Sequence, residues 1–252
     1  MQQVQKRQLL TALRPLVMAY LALSVARPAF AADAPPDTVP TDLQDPASAG
    51  HRSLEEACPH AFEASRAAAA QLHRRQPAIA RVTRPALQHE LLTLAQIDSD
   101  ARDRWDLSQS EPVEVVAADQ HNLIRLKQIL HQEGFPTAKM VGYIGVAAAW
   151  LLLQHADSDP AFQRHWLPVI GARARTGDLS YQFLGLFTDR VLLASGHKQR
   201  YGTQIMIERG QFIIRPTEDP QHLDRRRKAL EMVPEEDYLC TVHFMTPMAP
   251  SN

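Results

Sequence analysis

The sequence predicts a mainly α-helical bundle of about five to seven helices, with one small β-hairpin near its C-terminus. Apolar residues recur at helical spacing through most of the chain after Arg84, and Gly or Pro residues separate the helical segments. The spacing then changes to two short runs rich in β-branched residues. No internal repeat is present, so the pattern indicates one helical domain, over residues 83–240.

A helical extension is predicted ahead of this domain, over residues 51–82. It opens with Ser53-Leu54-Glu55-Glu56, a capping-box pattern in which hydroxyl and carboxylate each satisfy a free backbone N–H. An Ala-rich helix follows from Pro59 to about Arg75, and Pro77 ends it.

Three longer helices follow, over about residues 85–105, 115–132 and 140–156. In the first, apolar residues repeat at helical spacing at Leu87, Leu91, Leu94 and then Ile97 or Asp98. Gly134 provides the stop signal of the second. The third is apolar on every face over residues 140–153, which predicts a buried central helix because the run is too short to span a membrane.

Two more helices are predicted over about residues 160–175 and 180–194, ending at Gly177 and Gly196. The runs Ile205–Glu208 and Gln211–Ile214, joined across Arg209-Gly210, predict the hairpin.

The C-terminal end is predicted to hold a short charged helix and then an extended segment. Asp219-Pro220 begins the helix, which ends at about Leu230. The extended segment contains Tyr238 and Cys240, and residues 241–252 form a tail.

The first 31 residues have the pattern of a cleavable signal peptide. Basic residues precede the apolar run 15–26, and Ala29-Phe30-Ala31 supplies the small-x-small cleavage site. We therefore expect an exported protein, most simply periplasmic, cleaved after Ala31. An uncleaved anchor helix is the alternative, and the pattern does not distinguish a periplasmic from an extracellular product. Residues 32–50 hold four prolines among small and polar residues and predict a flexible tether.

Charge excludes one class of partner. Lys and Arg total 27 against 28 Asp and Glu, and removing residues 1–31, which carry four basic residues and no acid, changes the formal charge from −1 to −5. A nucleic-acid-binding protein should be basic overall or along one face, so none is expected here. No stable membrane span is expected in the mature chain, and no protein partner is identified.

The two cysteines, Cys58 and Cys240, form a candidate disulfide in an oxidising compartment. On the loop-entropy model the bridge would contribute about 4–5 kcal/mol. Two unrelated thiols are the alternative, since sequence does not show proximity.

Polar residues interrupt the apolar helices at two places that suggest a site. Asp119 and Asn122 extend the apolar stripe that begins at Leu123, and an acid directed at a core must be paired or reactive. Gln154-His155-Ala156-Asp157 ends the most apolar helix. Asp119 could instead be a helix-start acid, and His155 a hydrogen-bonded structural residue.

Two further polar segments lie closer to the hairpin. Asp189-Arg190 interrupts the apolar stretch 183–193, which indicates either an internal ion pair or a ligand clamp. The turn before the hairpin holds four residues that could bind a polar ligand or satisfy the backbone: Gln199, Tyr201, Thr203 and Gln204.

Taken in order, these motifs resemble a bacterial family described only as a domain of unknown function. The resemblance covers about Leu87 to Tyr238. It rests on Asp119-x-x-Asn122, Gly134-Phe135-Pro136, Val141-Gly142, Gln154-His155-Ala156-Asp157, Phe162-Gln163, Asp189-Arg190-Val191, Gly196-x-x-Gln199-x-Tyr201-Gly202-Thr203-Gln204, Asp219-Pro220 and Arg226. Phe135 stands where that family more often has Trp. The resemblance marks these motif positions as shared with the family, but it implies no particular reaction.

Two functional hypotheses follow. In the first, a polar small-molecule site of hydrolase type uses His155 as general base, oriented by Asp157 or Asp119, with the other polar motif residues as ligand contacts. A metal variant would use Asp119, His155 and Asp157, although their spacing does not select it. In the second, a non-catalytic envelope protein uses the same residues as a buried network or a binding surface. The sequence identifies neither a cofactor nor a substrate.

Overall fold

The computed structural model describes residues 53–103, 105, 110–208 and 211–245, and within them it confirms a mainly helical fold with one two-stranded antiparallel sheet. The nine α-helices of these residues are α1 Leu54–Ala57, α2 Pro59–Arg75, α3 Pro85–Arg102, α4 Val113–Glu133, α5 Ala138–Gln154, α6 Pro160–Thr176, α7 Tyr181–Ala194, α8 Leu223–Ala229 and α9 Glu235–Met245. A 3₁₀ turn, Pro220–His222, precedes α8.

Helix α5 is the centre of the core, as its uniformly apolar sequence predicts. Residues 145–154 are all buried, and α3, α4, α6 and α7 pack around them. Trp150 stacks on Phe183 of α7 with ring centroids 4.2 Å apart, and its indole N–H donates to the Phe183 carbonyl at 3.2 Å. None of the helices in the described ranges is long and apolar enough to cross a membrane.

A kink at Gly142 interrupts the first turn of α5. Its φ of 68° is a left-handed value that glycine adopts without steric cost. The carbonyls of Lys139 and Met140, just before the kink, accept the backbone N–H groups of Thr83 and Arg84 at 3.0 and 2.9 Å. These two hydrogen bonds join the entry into α3 to the start of α5.

The hairpin consists of β1 (Ile205–Glu208) and β2 (Gln211–Ile214), with Ile205 opposite Ile214. Ile205 and Phe212 pack with Tyr238 and Val242 of α9 in a small second core.

The predicted extended segment after Leu230 is wrong, because residues 235–245 form helix α9. Glu235, Glu236 and Asp237 place negative charge in the first turn, where the helix dipole favours it. Tyr238, Thr241 and Val242 lie on one buried face at helical spacing. The segment is short and holds two β-branched residues and a cysteine, so this face was not recognised in the sequence.

The N-terminal helices α1 and α2 are bonded to the C-terminal part of the described chain. The capping box at Ser53 and Glu56 is present, with both of its hydrogen bonds. Cys58, between α1 and α2, forms a disulfide with Cys240 of α9, which confirms the predicted bridge. At the other end of α2, Arg75 pairs with Glu231 at 2.8 Å and lies over the Tyr181 ring. The predicted signal peptide and tether, and most of the predicted tail, lie outside the described residues.

Candidate functional site

An aspartate and a histidine meet at the centre of the candidate site. His155 is the first residue after α5, and Asp98 lies near the end of α3, on the buried stripe of Leu87, Leu91 and Leu94. The His155 Nδ1 atom lies 2.6 Å from Asp98 Oδ1, and both side chains are buried. An ionised carboxylate only accepts hydrogen bonds, so the contact with an ionised Asp98 requires the proton on Nδ1. This tautomer leaves Nε2 as the basic nitrogen.

Arg102 holds the carboxylates of the cluster in place. Its Nη1 donates to Asp98 Oδ1 at 2.6 Å, one helical turn away, and its Nη2 donates to both oxygens of Asp119 at 2.7 and 2.8 Å. Asp119 belongs to α4, so this guanidinium joins α3 to α4 beside His155. Charge-assisted bonds of this type favour the ionised form of both acids.

Asp119 is the most accessible acid of the cluster. Its side chain is 15% exposed, against 3% for Asp98, so solvent reaches the cluster from the Asp119 side. Burial raises the pKa of Asp119, while the charge and the hydrogen bonds of Arg102 oppose this shift.

The same residues provide a weak candidate for a metal site. Ligand atoms of Asp98, Asp119 and His155 all lie within 4.8 Å of one another. However, Arg102 donates to both oxygens of Asp119 and to Asp98 Oδ1, so a metal cation would have to displace a guanidinium from its bonds. The predicted metal set included Asp157, which contacts other groups. A proton-transfer site fits this donor arrangement better than a metal site does.

Asp157 pairs with Arg190 and Gln163. Its Oδ2 accepts from Arg190 Nη1 at 2.6 Å, and its Oδ1 accepts from Gln163 Nε2 at 3.1 Å. The hydrogen bond that orients the His155 ring therefore comes from Asp98, rather than from Asp157 or Asp119 as the sequence suggested.

Two predicted ligand-binding residues, Asn122 and Gln154, lie close in sequence to Asp119 and His155. The Asn122 amide donates to the Leu94 carbonyl at 3.2 Å, which ties α4 to α3. Gln154 is fully buried, and neither atom of its amide has a hydrogen-bond partner in the described part of the chain.

Asp189 anchors the segment before the hairpin, which we call the 199–204 loop. Its two oxygens accept five hydrogen bonds, from the backbone N–H groups of Arg200, Tyr201 and Thr203 and from the Thr203 hydroxyl, at 2.6 to 3.2 Å. Burial raises the pKa of Asp189, and the hydrogen bonds from the loop oppose that shift. Asp189 thus acts as the structural centre of the loop.

The other polar side chains of the loop are also used internally. Gln199 donates to the carbonyls of Gln204 and Arg215 at 3.1 and 2.7 Å, and its Oε1 accepts the Gln204 N–H at 2.8 Å. The Gln204 side chain donates to the Leu186 carbonyl at 3.3 Å and to Thr203 Oγ1 at 3.1 Å. Tyr201 is partly exposed, and burial raises its pKa. Gln199, Thr203 and Gln204 were predicted as ligand contacts, and here they stabilise the loop.

Three residues of this region, Asp98, Arg102 and Gln163, were not predicted as site residues, although Gln163 belongs to one of the motifs that carry the family resemblance. Asp98 had been recognised only as a position on the apolar stripe of α3. A charged residue on such a stripe, followed by Arg one turn later, is the signal that could have identified the pair.

The fold and the site together define a helical domain with a buried acid–histidine cluster. The chain belongs to a family of unknown function (DUF6624), whose model matches residues 85–245. This match starts at α3 and includes every helix that contributes to the cluster. The comparisons found no curated protein and no solved structure that matches the chain.

Proposed function

We propose that this protein has a polar small-molecule site of hydrolase type, with His155 as general base. The observation that carries the proposal is the 2.6 Å contact between His155 Nδ1 and Asp98 Oδ1. A buried carboxylate on one nitrogen of an imidazole fixes the tautomer and stabilises the imidazolium that forms when the other nitrogen takes a proton.

In this mechanism Nε2 of His155 removes a proton from water or from a substrate hydroxyl as the new bond forms, and later returns it to the leaving group. Asp98 remains ionised and supports the positive ring. Arg102 is a positioning residue, because it acts through the bonds that fix Asp98 and Asp119. Asp119, at the open side of the cluster, is placed to contact water or a bound molecule.

A non-catalytic envelope protein is the second candidate, and the 199–204 loop favours it. The side chains of Asp189, Gln199 and Gln204 bond to backbone groups and to the Thr203 hydroxyl, as in a network that serves packing. The two candidates differ in what replacement of His155 should do to folding.

The first test measures activity in variants of the cluster. The chain from Ala32 onward is assayed with chromogenic ester, amide and phosphoester substrates, guided by a thermal-shift screen of metabolites and divalent metals. We expect His155→Ala and Asp98→Asn to lower kcat/KM by about 10²–10⁴-fold, the usual contribution of general base catalysis. His131→Ala, an exposed histidine in the last turn of α4, is the matched control and should keep full activity.

Folding must be measured in parallel by circular dichroism and thermal unfolding. The catalytic proposal requires that His155→Ala stays folded while turnover is lost. If both variants unfold, the cluster is structural and the second candidate stands. If both stay folded and keep full turnover, His155 is not the general base.

We further propose that the chain is exported to the periplasm and cleaved after Ala31. The Cys58–Cys240 disulfide supports this, because such bonds persist in oxidising compartments and are rare in the cytosol. Full-length chain expressed in a bacterial host should be recovered from the periplasmic fraction, and mass spectrometry should give Ala32 as its first residue. Ala31→Arg should block cleavage. Cytoplasmic protein that retains Met1 would contradict the proposal.

A further inference from the structure

Three buried polar side chains around Asp157 have unused hydrogen-bonding atoms. Arg190 binds Asp157 through Nη1 only, and its Nε and Nη2 have no partner among the described residues. Gln163 uses its Nε2, while its Oε1 is without a partner. Gln154, three residues before Asp157 in the chain, has both amide atoms unpaired. We call Gln154, Asp157, Gln163 and Arg190 the Arg190 node.

Such a concentration of unpaired groups is unusual for a protein interior. A buried donor or acceptor without a partner costs about 1–3 kcal/mol, and more when it is charged. Folded proteins therefore satisfy most buried polar groups, and the exceptions need an explanation. Here the unpaired atoms belong to side chains that converge on one carboxylate or precede it in the chain, which indicates a common cause.

The unpaired edge of Arg190 has a specific chemical shape. Nε–H and Nη2–H point the same way in the plane of the guanidinium, and their spacing matches the two oxygens of a carboxylate. Asp157 pairs with Arg190 at 2.6 Å, so the two side chains together carry no net charge. A monoanionic carboxylate adds one negative charge beside Asp157 and a phosphate dianion adds two, so repulsion from Asp157 disfavours phosphate more strongly.

Asp157 is the most exposed side chain of the Arg190 node. The Asp157 side chain is 25% exposed, whereas that of Arg190 is 2% exposed. Asp157 follows His155 by two residues, so the end of α5 contributes both to the acid–histidine cluster and to this node.

We propose that Arg190 binds the carboxylate of a small organic acid through its Nε and Nη2 atoms, with Asp157 at the entrance. One part of this proposal rests on the proposed function: the organic acid bound by Arg190 is the substrate class on which His155 acts. The unpaired Gln163 Oε1 offers an acceptor for a hydroxyl or amide N–H next to the bound carboxylate.

The test is a titration of the chain from Ala32 onward with acetate and with succinate, at constant ionic strength set by chloride. Binding is followed by the arginine Nε–H resonances in ¹H–¹⁵N NMR spectra. We expect one arginine resonance, absent from the spectrum of Arg190→Lys, to shift and saturate with both acids. Chloride and inorganic phosphate at equal ionic strength should leave it unchanged.

Two variants make the expectation specific. Arg190→Lys keeps a positive charge and a donor for Asp157 but lacks the paired Nε–H and Nη2–H donors. Its carboxylate affinity should therefore fall about tenfold or more, as followed through backbone amide resonances. Asp157→Asn removes a negative charge beside the bound anion, so it should bind acetate more tightly than the wild type does. A purely structural role for the Arg190 node would not produce this gain in acetate affinity. Asp157→Asn also provides a decisive test if Arg190→Lys does not fold.

The proposal is overturned if the wild type shows no saturable shift beyond that given by chloride, or if Asp157→Asn binds acetate no more tightly. It is also overturned if phosphate shifts the resonance as acetate does. His155→Ala separates the two proposals, because it should lose turnover and keep the acetate shift. Loss of the general base function thus leaves the carboxylate site intact. Arg190→Lys should weaken carboxylate binding and therefore raise KM for the acid substrate.

Discussion

Replacing both Cys58 and Cys240 by serine is expected to lower the free energy of unfolding by about 4–5 kcal/mol. The bridge closes a loop with a sequence separation of 182 residues, and cross-linking so long a loop removes much conformational freedom from the unfolded chain. Domains of ordinary stability unfold with about 5–15 kcal/mol, so the loss is a large fraction of the total.

Chemical denaturation of the double variant, compared with the oxidised and the reduced wild type, measures this effect. The reduced wild type controls for the side-chain replacement, and it should unfold at the same denaturant concentration as the double variant. Arg75→Ala removes the second attachment of α2 and leaves the bridge intact, so it should cost much less. A reduced protein as stable as the oxidised one would show that α1 and α2 are held by packing alone.

The spacing of apolar residues and the proline and glycine residues at helix ends were sufficient to predict most of the helices. The Ala-rich helix is predicted from Pro59 to about Arg75, which agrees with the bounds of α2, because Pro59 starts it and Pro77 ends it. The hairpin also has its predicted strands, since β-branched residues and Arg209-Gly210 mark it locally. Such signals lie within one element and need no information from the rest of the fold.

Tertiary contacts account for what was missed. Helix α9 is stabilised by a disulfide to Cys58 and by packing on the hairpin, which lie far from it in sequence. The partner of His155 was sought within the same motif, at Asp157, although the structure supplies Asp98 from a helix 57 residues earlier. Pairings of this kind depend on how α3 packs against α5, and the spacing of residues along one helix does not encode them.

Asp189→Ala is expected to lower the free energy of unfolding by about 3–5 kcal/mol, because the substitution leaves a group of buried donors without their acceptor. Asp189 accepts from three backbone N–H groups and one hydroxyl of the 199–204 loop. Its side chain is fully buried, so water cannot replace the lost bonds without opening the loop. Hydrogen exchange should therefore report faster exchange at the amides of Arg200, Tyr201 and Thr203.

Thr203→Val provides the matched control, because it removes one hydroxyl donor to Asp189 and leaves the three backbone bonds in place. It also removes the acceptor of Gln204 Nε2, so it should cost about 2 kcal/mol, the usual net value of two hydrogen bonds. If Asp189→Ala costs no more than this control and the three amides stay protected, the loop is held by its other bonds. Gln199 would then be the main support, through its bonds to Gln204 and Arg215. Asp189 would in that case be a buried acid without a structural purpose, and a ligand contact there would become the better explanation of its position.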